Sequence, residues 1–142
     1  GLANSLWAVA RLRLPREQAV PFALEAARQA TAAPELLGLF LPQELSMALW
    51  AVARLLGRRR GPCEAQRFAL AVAQEAFRRL REFGPQGLSN IAWALATMEL
   101  TRKEAPRRFI LAAAQMSAPG LASFPPQAIS NFCWAMGKLG RA

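Results

Sequence analysis

Sixteen arginines and two lysines stand against nine acids, all glutamate, in a chain of 142 residues with no histidine, aspartate or tyrosine. That inventory bounds the chemistry. Without His or Asp there is no Ser-His-Asp triad, no His-bearing zinc site and no Asp-held magnesium for phosphoryl transfer. A nuclease would need clustered carboxylates, and these nine glutamates are dispersed along the chain. We therefore expect a non-catalytic protein with no cofactor and no metal. Cys63 and Cys133 lie 70 residues apart, outside any metal-ligand spacing, and are expected to be reduced, inert core thiols. What remains is charge. The Arg-over-Lys choice, alongside abundant Ala, Gly and Pro, fits a GC-rich coding bias, but bias does not explain a net charge of +9. An excess of that size points to a polyanionic partner.

The cations are clustered, with eleven of the eighteen between residues 58 and 108. Three form the run Arg58–Arg59–Arg60, and the others are Arg67, Arg78, Arg79, Arg81, Arg102, Lys103, Arg107 and Arg108. Arg67 and Arg108 each precede a phenylalanine in a recurring frame. Stacked repeats would align them as a ladder of guanidiniums suited to a phosphate backbone. The competing reading is a solvated face on which Glu64, Glu75, Glu82 and Glu104 form helical ion pairs.

The elements that position these residues announce themselves by repetition. "PQELSMALWAVARL" at 42–55, "PQGLSNIAWALATM" at 85–98 and "PQAISNFCWAMGKL" at 126–139 share the frame F-x-P-Q-x-[LI]-S-x-x-x-W-A, and "GLANSLWAVARL" at 1–12 is a beheaded copy. The four tryptophans, Trp7, Trp50, Trp93 and Trp134, are separated by 43, 43 and 41 residues, and Phe40, Phe83 and Phe124 each stand ten residues before a Trp. A second frame, F-[AI]-L-x-x-A-[RQ], begins at Phe22, Phe68 and Phe109. Self-similarity at a fixed period is the signature of a repeat architecture.

The spacing predicts alternating helices: nearly all-apolar B helices at 1–13, 42–56, 85–99 and 126–139, and amphipathic A helices at 17–32, 63–82 and 102–117. In the A helix from Phe68, Val72, Ala76, Phe77 and Leu80 are expected inside, and Arg67, Gln74, Arg78 and Arg81 outside. In the B helix at 85–99, Leu88, Ile91, Ala92 and Leu95 form the core stripe, and Trp93 packs between repeats beside small alanines. The eight phenylalanines and four tryptophans all fit core positions, leaving no aromatic for base stacking. Antiparallel pairs recurring at this period predict an all-α, right-handed α-solenoid of about three and a half repeats, one domain over 1–142 with repeats at 17–56, 63–99 and 102–139. No stretch approaches the ~18 apolar residues of a membrane span, so no membrane partner is expected. The chain opens on Gly1 rather than Met and carries no targeting pattern. Apolar B helices at both ends predict a longer array, or neighbouring proteins covering both end faces.

The frame F-x-P-Q-x-L-S-N-x-x-W-A-x-A resembles the octotricopeptide repeat, a helical-pair repeat, over essentially the whole chain. Met47 stands where the frame has Asn, and the first two periods are long. The resemblance implies an RNA-binding protein of an organelle, mitochondrion ahead of chloroplast, acting in transcript stability, processing or translation or as a component of an organellar ribosome. Its partner is then organellar mRNA or rRNA, with no small-molecule substrate. The candidate RNA-binding residues are Arg58, Arg59, Arg60, Arg67, Arg78, Arg81, Arg102, Lys103, Arg107 and Arg108, with Asn90 and Asn131 either reading bases or forming an inter-repeat hydrogen-bond ladder. Backbone and shape recognition is favoured over base reading. A protein–protein scaffold is the alternative.

Overall fold

The structure, a computed structural model, describes residues 15–57 and 62–140. Among them are seven α-helices and no strand: α1 (Arg16–Ala32), α2 (Glu35–Leu39), α3 (Pro42–Leu56), α4 (Cys63–Arg78), α5 (Pro85–Thr97), α6 (Glu104–Ser117) and α7 (Pro126–Leu139). The B helix expected at 1–13 and the loop arginines Arg58, Arg59 and Arg60 lie outside the described residues.

Helix starts follow the punctuation. Pro42, Pro85 and Pro126 open α3, α5 and α7, where the fixed φ suits a helix and the missing N–H has no partner to lose. At α3 the Glu44 carboxylate also accepts the Leu41 backbone N–H at 2.9 Å. Two helices stop earlier than the spacing predicts. The A helix expected to reach 82 ends at Arg78 and passes into a single 3-10 turn, Leu80–Glu82. The B helix expected to reach 99 ends at Thr97, because Glu99 adopts a left-handed φ of 58°. Around it the Glu99 N–H reaches Ala96 O at 3.0 Å and the Leu100 N–H reaches Leu95 O at 3.1 Å, the paired bonds of a Schellman C-cap. The short α2 falls between the helices expected at 17–32 and 42–56, where none was expected.

The helices pack in two rows. α1 packs on α4 and α4 on α6, while α3 packs on α5 and α5 on α7, with α1–α3, α3–α4, α5–α6 and α6–α7 contacts joining the rows. The A helices thus form one row and the B helices the other. α5 has a neighbour on each flank, and Leu88, Ile91, Ala92 and Leu95 are all buried there. Trp50 and Trp93 meet across the α3–α5 boundary with ring centroids 6.4 Å apart, although both rings are only partly buried.

The recurring serine also has a packing reason. Ser46 and Ser89 are buried, and each hydroxyl donates at 3.0 Å to the carbonyl three residues back, Gln43 O and Gln86 O. A small side chain with its polarity satisfied inside its own turn lets the neighbouring helix approach closely. No helix among the described residues is long and apolar enough to cross a membrane.

Candidate functional site

The arginines are placed by the register of the A row. In α4 the residues Ala65, Phe68, Ala69, Val72, Ala73 and Ala76 are buried, and in α6 the residues Pro106, Phe109, Ile110, Ala113 and Ser117 repeat that face. A fixed inner face fixes the outer one. Arg67 and Arg108, each preceding a buried Phe, are exposed and line the same groove between α4 and α6.

One half of that groove, about 610 Å³, is lined by Arg67, Leu70, Ala71, Gln74 and Phe77 of α4 and by Lys103, Glu104, Ala105 and Arg108 of the facing element. The other half, about 520 Å³, is lined by Phe77 through Glu82 and by Ala112, Gln115 and Met116 of α6. Phe77 belongs to both halves. Six cationic and two acidic side chains line the whole, with Leu70, Ala71, Ala105 and Ala112 among its apolar lining.

Of the ten cations singled out from sequence, Arg67, Arg78, Arg81, Lys103 and Arg108 line this groove. Arg102 and Arg107 are exposed but line neither half. Glutamates engage part of the set: Arg78 pairs with Glu75 at 2.6 Å and Arg108 with Glu104 at 3.4 Å. The hydrogen bond that Arg78 donates to the Glu75 carboxylate raises the Arg78 pKa above its already high ordinary value, so Arg78 stays charged. Arg67, Arg81 and Lys103 make no ion pair among the described residues. The solvated-face reading therefore describes Arg78 and Arg108 in part, and leaves three groove cations uncompensated.

Arg79 is different. Its side chain is 12% exposed, sits 3.2 Å from Glu82 and 3.6 Å from Glu75, and donates to the Phe40 carbonyl at 2.9 Å. It ties the end of α4 to the residue that closes α2, a structural strut rather than a free cation.

Asn90 and Asn131 sit on the B row and line neither half of the groove. Asn90 Oδ1 accepts from Gln86 Nε2 at 3.0 Å, one turn back in the same helix. That bond is intrahelical, not a rung between repeats, so the ladder expected from the recurring asparagine is not formed at Asn90.

Two other expectations are corrected. Cys63 and Cys133 are exposed, not core thiols. The aromatics are not all inside: Phe22 and Phe77 are each 41% exposed and Trp134 is 42% exposed. Phe77 is the residue the sequence reading missed. It stands nine residues after Phe68, about two and a half turns at 3.6 residues per turn, which puts the two rings on opposite sides of α4. Helical arithmetic held the signal, but the hydrophobic character of Phe assigned it to the core.

No family model, no curated protein and no solved structure matches the chain. Among the described residues no three His, Cys, Asp or Glu side chains gather to hold a metal.

Proposed function

We propose that the chain is an RNA-binding segment of a right-handed α-solenoid of octotricopeptide type, holding the RNA backbone along the outer face of its A row. The carrying observation is the α4–α6 groove, with Arg67, Lys103 and Arg108 in one half and Arg78 and Arg81 in the other. Cations whose backbone positions the fold fixes bring their charge to a phosphate chain at less ordering cost than a scattered set of the same charge. The solenoid reading rests on three intact sequence frames and on like helices packing beside like. The organelle, and the choice between mRNA and rRNA, rest on the repeat resemblance. The function is non-catalytic.

A specific observation favours protein contacts at one edge as well. Ser130, Cys133, Met136 and Gly137 of α7 are exposed, whereas their register-mates Ser46, Leu49, Val52 and Ala53 in α3 and Ser89, Ala92, Leu95 and Ala96 in α5 are buried. Each earlier B helix is covered by the next one. The outer face of α7 is the same face left open, and a further repeat or a neighbouring protein is its occupant in this reading.

The test is equilibrium binding of a labelled single-stranded RNA at a series of salt concentrations, by the wild type and by the double variant Arg67→Glu, Arg108→Glu. Steeply salt-dependent binding that the double variant abolishes supports the proposal; binding that neither salt nor the variant alters refutes it.

A further inference from the structure

We infer that Phe77 is a stacking platform for one unpaired nucleobase, so that the α4–α6 groove takes single-stranded rather than duplex RNA. The inference rests on the RNA reading above and adds the form of the ligand.

Phe77 is the only aromatic among the described residues lining the groove, and it is common to both halves. Phe77, 41% exposed, lies outside the buried cluster, which Phe68 and Val72 join from the opposite side of α4. Its neighbours give the ring a context. Arg67 and Arg108 line the half on one side of it, and Arg78 and Arg81 the half on the other. A backbone passing from one cationic half to the other crosses Phe77 between them. Cations that hold phosphates, interleaved with an aromatic that takes a base, are the parts of a single-strand site. Each half of the groove, at about 610 and 520 Å³, falls within the roughly 300–1,000 Å³ of small-molecule pockets. A duplex keeps its bases stacked on one another and offers Phe77 nothing to stack on.

Register limits the inference to one slot. The residues nine after Phe22 and Phe109 are Thr31 and Ala118, which carry no ring. A single platform is tolerant of base identity, because every base has a π face. The groove should therefore demand a base without reading which one.

The experiment compares three labelled probes of equal length: an RNA oligonucleotide, the same backbone made abasic, and a duplex. The wild type should bind the base-bearing strand about 5- to 150-fold more tightly than the abasic one, the equivalent of one stacked base, and more tightly than the duplex. Phe77→Ala should remove that preference while leaving abasic binding and its salt dependence unchanged, and Phe77→Trp should keep it. Because Phe77 lies outside the buried cluster, both variants should still unfold in one cooperative transition. Equal affinity for base-bearing and abasic strands, with salt dependence intact, would overturn the stacking slot and leave the RNA reading standing. Salt-insensitive or absent binding of every probe, or displacement of RNA by an acidic peptide held in the same groove with Phe77 essential to it, would overturn both.

Discussion

At the scale of single residues, the sequence told where the cations are but not which are free. Arg67, Arg79 and Arg108 look alike in a run of letters, yet Arg79 is spent on a carbonyl 39 residues away, a partner that no local pattern announces. Phe77 was hidden for a different reason, since hydrophobicity and helical phase disagree there and the phase prevails. The consequence for Arg79 is measurable. Arg79→Ala leaves the Phe40 carbonyl without its donor and Glu75 without one of its cations, and loss of such a partly buried partner costs about 1–3 kcal/mol. Arg67→Ala, on an exposed side chain with no ion pair, should stay within about 0.5 kcal/mol of wild type. Urea denaturation of the two variants separates the strut from the free cation, and an equal effect would remove the distinction drawn between them.

At the scale of elements, the helices were legible because Pro-Gln openings and apolar periodicity are local signals. Pro42–Leu56 and Pro126–Leu139 lie where the pattern put them. Ends were less legible where their cause is conformational. Nothing in "ATMELT" at 96–101 marks a stop, since the usual Gly or Asn is absent and Glu99 takes the left-handed position instead. That conformation costs an L-residue about 1–2 kcal/mol, and an acidic side chain at a helix C-terminus opposes the dipole. Glu99→Gly should therefore stabilise the fold by about 1 kcal/mol, seen as a higher urea midpoint with an unchanged slope. A lower midpoint would show that the Glu99 side chain contributes something the cap geometry does not reveal. The short α2 was missed because a five-residue helix has too few turns to show a period.

At the scale of the whole molecule, the all-helical character and the alternation of two helix types followed from the repeated frames, because each repeat buries against its neighbours what it cannot bury alone. The cost is an open edge. Trp134 remains 42% exposed even with Lys138 lying 5.3 Å from its ring centroid, and the register-mates of Met136 are fully buried in α3 and α5. The chain on its own should self-associate as concentration rises, and Met136→Glu should suppress that by placing a charge on the face a neighbouring helix would cover. Sedimentation velocity over a concentration series reads this directly; a wild-type chain that stays monomeric throughout contradicts the open-edge account. The central claim concerns the charged face, and the salt titration of RNA binding meets it most squarely. With about three to four phosphates held in the groove, the logarithm of affinity for a single strand should fall against the logarithm of salt concentration with a slope of about −2 to −3. Arg67→Glu with Arg108→Glu should flatten that line and weaken binding at every salt concentration, whereas a flat wild-type line, or a double variant that binds as the wild type does, would contradict the account.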